Sequence, residues 1–236
     1  MRDYERIFRV LAAVEVADCL SDFKSRLLES LGQEFNLRHT TCFTGSTYGS
    51  LFLDQNPLLS GRTVSMIREY RSGWNEYDVF RLPEARARLE RASAISVAEL
   101  KDIPEPTRDY LNEWLGGQGI ANASTIYLRH RNGHSLVGLF SEDSTSVRAE
   151  MKTLRLLARQ LSVMSRDLPD ADAAKARTES LSRRQQEVAD LVTRGLTNAE
   201  IAAALVLAED TVKKHVSQIL AATGCRSRTE LALYFR

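Results

Sequence analysis

Apolar residues in the last quarter of the chain recur at helical spacing in four short runs, each separated from the next by only a few residues. The spacing predicts helices over about 183–194, 198–206, 209–223 and 228–235. The residues expected to face inward are Val188, Leu191 and Val192, then Ile201, Ala202 and Leu205, then Val212, Val216 and Ile219, and finally Leu231 with Tyr234 or Phe235. Four short helices of this kind can share one small core.

Polar residues mark where these helices begin and end. A hydroxyl residue is followed three positions later by Gln or Glu at Ser182 and Gln185, at Thr197 and Glu200, and at Ser227 and Glu230. These pairs are typical of capping boxes, in which hydroxyl and carboxylate or amide satisfy the first free backbone N–H groups. Gly195 and Gly224 suit the left-handed conformation that ends a helix.

The pattern breaks around Leu207 and Ala208, which predicts a turn that sets the second and third helices across each other as a helix-turn-helix. With Val212, Val216 and Ile219 turned inward, the third helix must present Lys213, Lys214 and Ser217 outward near its N-terminal end. That part of a recognition helix enters the major groove. The alternative is an interaction module that pairs subunits and leaves this basic face to solvent.

Four segments carry a family resemblance: LSRRQQEV (181–188), GLTNAEIA (195–202), TVKKHV (211–216) and RSRTEL (226–231). They resemble the LuxR-type (NarL/FixJ-like, GerE) helix-turn-helix domain of bacterial transcription regulators over residues 181–236. The resemblance implies that Lys213, Lys214 and Ser217 face bases. It also implies that five residues face phosphates: Asn198, Thr211, His215, Arg184 and Arg228.

The same resemblance implies double-stranded DNA as a partner, a homodimer formed with help from the fourth helix, and RNA polymerase as a further partner if the protein is an activator. Ala208 stands where the family usually has a capping serine, and Ala199 where a cation is common. Ser217 replaces a longer cation of some relatives, so base readout depends mainly on two lysines. A dimer on an inverted repeat would compensate for this weak readout.

Upstream the pattern is mixed and predicts an α+β domain. Amphipathic helices are expected within Tyr4–Phe35 and Val147–Val163, and shorter ones over Arg62–Trp74 and over Pro106–Leu115, the latter ending in Gly116-Gly117. Strand-like runs cover Thr40–Tyr48 and Ser124–Arg129. Asn132-Gly133 lies between TIYLRHR and HSLVGLF, the strongest hairpin signal in the chain. These elements predict helices around an antiparallel sheet, in an order that resembles GAF/PAS-like sensors.

The linker-like composition of 165–180 divides the chain into a sensor and dimerisation domain at 1–166, a linker at 167–180 and the DNA-binding domain at 181–236. Trp74, Tyr77 and Asp78 resemble positions of acyl-homoserine-lactone sensors, which leaves an autoinducer-binding regulator as an alternative. The candidate ligand pocket, for a small molecule, is Trp74, Tyr77, Asp78, Phe80, Tyr127 and Phe140. Aromatic residues at such spacings also suit an ordinary core.

Charge and composition narrow the function further. The 236 residues sum to +1, and 181–236 hold eight basic against six acidic residues, a net +2 that leaves −1 for the remainder. No apolar run approaches the roughly 20 residues of a membrane span, which predicts a cytoplasmic protein without a membrane partner. His39 and Cys42 are expected on opposite strand faces, as are His130 and His134, so we expect no metal, cofactor or catalytic residues.

Overall fold

A five-stranded antiparallel sheet is the centre of the N-terminal part of the computed structural model. Its strands are β1 (His39–Gly45), β2 (Leu58–Ser60), β3 (Ala94–Ser96), β4 (Asn122–His130) and β5 (Gly133–Ser141), in the order β2-β1-β5-β4-β3. The structure describes residues 2–131, 133–143, 146–170, 181–223, 225 and 227–234. Two separate units result, Met1–Pro169 and Asp170–Arg236.

Helices cover both faces of the sheet. They are α1 (Arg2–Glu15), α2 (Leu20–Phe35), α3 (Thr63–Arg71), α4 (Pro83–Ala92), α5 (Glu105–Asp109) and α6 (Ser146–Met164). Alternation along the strands divides the core in two, because successive side chains point to opposite faces. Ile126 and Leu128 pack with α1, α2 and α6, whereas Tyr127 packs with the other helices. The predicted helix and sheet class is confirmed.

The predicted hairpin is confirmed: β4 and β5 pair from Asn122 opposite Ser141 to His130 opposite Gly133. Asn132 itself lies outside the described residues. The register places adjacent side chains on alternate faces, so His130 and His134 diverge as expected. The described residues contain no group of three or more His, Cys, Asp or Glu side chains that would hold a metal ion.

The helix predicted over Pro106–Leu115 begins as α5 and continues as a π-helical turn over Tyr110–Leu115. The prediction that it ends in Gly116-Gly117 is confirmed, because helical structure continues through Gly117 and a turn begins at Gln118. The chain turns at Gly119, whose φ is 75°, and Ile120 N there donates to Leu115 O at 3.0 Å. The helix predicted over Arg62–Trp74 is α3, which is shorter and followed by a 3-10 turn at Trp74–Glu76.

The described residues of the C-terminal unit form four helices that agree with the prediction to within one residue at each end. They are α7 (Arg183–Thr193), α8 (Asn198–Leu205), α9 (Glu209–Thr223) and α10 (Arg228–Tyr234). Their shared core includes the predicted inward residues Val188, Ile201, Val212, Ile219 and Leu231. The predictions for Gly224, Phe235 and the side chain of Tyr234 lie outside the described residues.

The predicted helix boundaries have a visible cause in the capping contacts. Complete capping boxes form at Ser182 with Gln185 and at Thr197 with Glu200. At the third, Glu230 N donates to Ser227 Oγ at 3.1 Å. Each such cap contributes about 1 kcal/mol to stability.

Candidate nucleic-acid interface and ligand pocket

The outer face of α9 is the candidate DNA-binding surface. Val212 and Ile219 are fully buried in the module core, whereas Lys213, Lys214 and Ser217 are exposed. This division follows from helical spacing: the three-residue and four-residue intervals between the buried positions leave the lysines on the opposite side. The polar face lies in the first half of a 15-residue helix, where a recognition helix contacts base edges.

The two lysines differ in their surroundings. Lys213 Nζ lies 3.2 Å from Asp210 Oδ1 and 3.6 Å from Glu209 Oε1. The hydrogen bond that Lys213 donates to Asp210, together with the negative charge of Asp210, raises the pKa of Lys213. Within the part of the chain that is described, no carboxylate pairs with Lys214 Nζ. Lys213 is therefore held by two carboxylates, whereas the ammonium group of Lys214 is not.

Two of the residues assigned to phosphates are bound within the module. Arg184 donates to Glu187 Oε2 at 2.6 Å and to the carbonyl of Leu205, so it joins α7 to the C-terminal end of α8. Carbonyls at that end lack partners inside their own helix and carry partial negative charge, which favours a cation there. Arg184 therefore stabilises the packing of the two helices as placed.

Arg228 makes a corresponding contact at the other end of α8. Its guanidinium donates to Asn198 Oδ1 at 2.9 Å and to the carbonyl of Leu196. The contact joins the first residue of α10 to the loop and first residue of α8 and also occupies the Asn198 side chain. Sequence reasoning missed this internal role, since residues 30 positions apart show no local pattern.

The remaining assigned phosphate contacts lie near the start of α9. Thr211 and His215 are both half-buried, and the Nδ1 atom of His215 is buried without a hydrogen-bond partner. The turn before α9 places Val206 in the left-handed conformation, with a φ of 53°, and leaves 91% of its surface exposed. The predicted break between the helices is confirmed, and Val206 is the residue that makes it.

The N-terminal unit contains a buried polar cluster around Asp78. Its carboxylate accepts hydrogen bonds from Tyr70 Oη at 2.8 Å, from Tyr110 Oη at 3.3 Å and from Phe80 N at 2.9 Å. Burial raises the pKa of Asp78, and the three hydrogen bonds partly oppose that rise. The pKa of both tyrosines is also raised, first by burial and then by the negative charge of Asp78.

This cluster borders a cavity of about 30 Å³ between the sheet, α3 and the π-helical turn that follows α5, space for one or two water molecules. Trp114 forms one wall, and its Nε1 atom is buried without a hydrogen-bond partner. A buried N–H donor of this kind ordinarily has an acceptor. The lining of the cavity therefore includes a buried carboxylate and the side chain of Trp114, whose N–H has no acceptor.

Only some of the predicted pocket residues meet at this cavity. Asp78 and Phe140 line it, and Trp74 stacks on Trp114 with ring centroids 6.1 Å apart. Tyr77 contacts Trp74 but is 43% exposed.

The other two predicted pocket residues pack around Tyr48. Tyr48 Oη donates to the Phe80 carbonyl, and its ring lies 5.5 Å from that of Tyr127.

Tyr70, Tyr110 and Trp114 line the cavity but were missed as pocket residues. Their signal was present as apolar pairs four residues apart, Met66 with Tyr70 and Tyr110 with Trp114, within the predicted helices.

Four helices, three of them with side-chain caps, and the exposed lysines of the third have the arrangement of a helix-turn-helix module. Residues 179–235 match the family described as bacterial regulatory proteins, luxR family. The C-terminal domain of this chain is therefore a luxR-family helix-turn-helix domain, as the sequence predicted.

Two bacterial proteins are similar to a short part of this chain. The two-component response regulator PprB of Pseudomonas aeruginosa is 55% identical over 53 residues, which are 22% of this chain and 19% of that protein. The transcriptional regulatory protein YhcZ of Bacillus subtilis is 43% identical over 63 residues, 27% of this chain and 29% of that protein. The chain thus spans less than a third of the length of these relatives.

The whole chain also resembles a solved structure. The crystal structure of Escherichia coli SdiA aligns with 98% of this chain and 95% of its own, with a TM-score of 0.50 and 15% sequence identity. At that identity the similarity concerns the fold, and it extends over both units. Among the described residues, no helix is long and apolar enough to cross a membrane.

Proposed function

We propose that this chain is a sequence-specific DNA-binding transcriptional regulator whose N-terminal unit senses a small molecule. The observation that carries the proposal is the exposure of Lys213, Lys214 and Ser217 on α9, opposite its buried valines. Such a regulator acts in the cytoplasm as a homodimer on double-stranded DNA, and contacts RNA polymerase if it activates transcription. Residues 1–166 would form the sensor, 167–180 the linker and 181–236 the DNA-binding domain. No catalytic step is part of the proposal.

In this proposal the lysines read base edges, and Thr211 and His215 approach phosphates beside them. Arg184 and Arg228 act differently, because their guanidinium groups are already bound inside the module. They stabilise the position of α8, which packs against the recognition helix α9. If a dimer makes about six phosphate contacts, the logarithm of the binding constant should fall with the logarithm of salt concentration at a slope of roughly −5.

The experiment is DNA binding by the full chain to the region upstream of its own gene, followed by fluorescence anisotropy. We expect Lys214→Glu and Lys213→Glu each to weaken binding at least tenfold, because each replaces an attractive contact with a repulsive one. Lys152→Glu, the same charge change at an exposed position of α6, is the matched control. If both α9 variants bind like the unchanged protein, the module pairs subunits instead of reading DNA.

For the sensor, the cavity at Asp78 favours a ligand with an N–H or O–H donor for the carboxylate and a carbonyl acceptor for Trp114 Nε1. Pockets for small molecules usually enclose about 300–1,000 Å³. A ligand with an acyl chain, as in autoinducers, would therefore require the aromatic walls to move apart. A compact ligand needs less movement and is the form that we propose.

Native mass spectrometry of the purified chain tests the sensor. We expect a bound compound in the unchanged protein and its loss in Trp114→Phe, which removes the N–H donor together with part of the ring system. Tyr77→Phe alters an exposed hydroxyl outside the cavity and is the control. A compound retained equally in both variants would place the ligand elsewhere.

A further inference from the structure

A second concave surface of the N-terminal unit is lined by four arginines. Arg129 and Arg131 lie at the end of β4 and in the turn after it, and Arg159 and Arg166 lie on α6 and just beyond it. Together with residues at the end of α4 they enclose a groove of about 410 Å³. The groove shares no lining residue with the Asp78 cavity and belongs to neither proposed site.

The backbone holds these arginines together. Arg131 N donates to the carbonyl of Arg166 at 2.8 Å, which joins the β4–β5 turn to the end of α6. Arg129 and Arg159 are exposed at the rim on the two sides of that contact. Four residues separated by up to 37 positions in sequence are thus placed around one opening by the fold.

The groove lacks the negative charge that would balance its arginines. Across the described part of the chain, none of the four guanidinium groups pairs with a carboxylate. The one acidic side chain in the lining, Glu90, is already bound to Arg86 at 3.0 Å. The region outside the DNA-binding module is slightly acidic overall, so this cluster is a local feature. Like charges in a concave site raise the local concentration of anions.

Other lining groups indicate what kind of anion fits. Val163 is 60% exposed and gives the groove an apolar strip, while Ser93 and Ser162 contribute hydroxyls. Guanidinium groups bind phosphate through paired hydrogen bonds and also stack on flat aromatic rings. A volume of about 410 Å³ lies within the range of small-molecule pockets. A concave site of this size suits a small ligand better than the convex backbone of a DNA duplex.

We propose that this groove binds a phosphorylated small molecule of the nucleotide class. The arginines would bind the phosphates, and Val163 with a stacked guanidinium would cover one face of the base. The two serine hydroxyls are placed to contact polar groups of the sugar or the base. The inference does not rest on the proposed DNA-binding or sensor functions, since it uses none of their residues.

The test is isothermal titration calorimetry of the full chain with ATP and with GTP at fixed ionic strength. We expect at least one nucleotide to bind, and Arg159→Glu combined with Arg166→Glu to weaken that binding at least tenfold. Arg159→Gln with Arg166→Gln should give a smaller loss in the same direction. Lys152→Glu, on the same helix but outside the groove, should leave binding unchanged. Circular dichroism establishes that each variant remains folded.

Several results would overturn the proposal. If neither nucleotide binds, or if the arginine variants bind like the unchanged protein, the groove is not the site. If pyrophosphate binds as tightly as the nucleotides, the groove recognises phosphate alone and the nucleotide class is wrong. If a DNA duplex competes with the nucleotide in a Lys213→Glu, Lys214→Glu background, the groove is a DNA contact instead.

Discussion

The charged groups of the two units differ in their exposure to solvent. On α9, Lys213 and Lys214 are exposed, so their charges are solvated and cost the folded module little. In the N-terminal unit, Asp78 is only 7% exposed and depends on three protein donors. A buried carboxylate is costly unless such donors are present. We therefore expect changes of the exposed lysines on α9 to affect binding alone, and changes around Asp78 to affect both stability and ligand binding.

The largest expected effect tests whether the α9 face depends on the core beneath it. Ile219→Ala removes a fully buried side chain and should lower the free energy of unfolding of the C-terminal unit by about 2–5 kcal/mol. Urea denaturation followed by circular dichroism measures it. Gln218→Ala, one residue away and exposed, should change that free energy by less than about 0.5 kcal/mol. Equal effects of the two would mean that the valine and isoleucine stripe is not the core contact.

Arg228 sharpens the distinction between internal and DNA-facing cations. Arg228→Ala removes hydrogen bonds from a charged group to Asn198 and Leu196, and should lower the free energy of unfolding by about 1.5–3 kcal/mol. Lys214→Ala should leave stability unchanged and weaken DNA binding. Thermal unfolding and DNA binding are measured on both. If Arg228→Ala is as stable as the unchanged protein but binds DNA less tightly, Arg228 contacts phosphate and has no internal structural role.

Asp78 gives the N-terminal unit a pH dependence of defined sign. Because burial raises its pKa, the folded chain binds the proton more tightly than the unfolded chain does. Its contribution therefore favours folding at low pH and is lost as pH rises from the ordinary value of about 3.9 through the raised pKa. Relative to Asp78→Asn, the unchanged protein should lose stability across that window. Parallel stability curves for the two proteins would contradict this assignment.

The smallest expected effect concerns the turn between α8 and α9. Val206 has a φ of 53°, a conformation that costs a non-glycine residue about 1–2 kcal/mol. Val206→Gly should raise the melting temperature modestly. The gain in the free energy of unfolding should be at most about 1 kcal/mol, because the greater unfolded-state entropy of glycine offsets part of the relief of backbone strain. Val206→Ala, which keeps the strained position, is the control. A lower melting temperature for Val206→Gly than for Val206→Ala would contradict the strain.

Much of the C-terminal domain was predictable because its signals are local. Capping pairs three residues apart and apolar residues three or four apart defined all four helices and the outer face of α9. The N-terminal unit was less predictable. Strands β2 and β3 have three residues each, too few for a period to appear, and both exist through pairing with β1 and β4.

The sequence by itself determined the helix-turn-helix, its exposed lysines, the α+β class of the larger unit and the central hairpin. Only the tertiary structure decided that Arg184 and Arg228 bind inside the module, that Tyr70 and Tyr110 hold Asp78, and that four arginines share one groove. The physical reason is the separation along the chain over which each interaction acts. Helix capping and periodicity act within a few residues, whereas the partner of a distant charged group is chosen by how the elements pack.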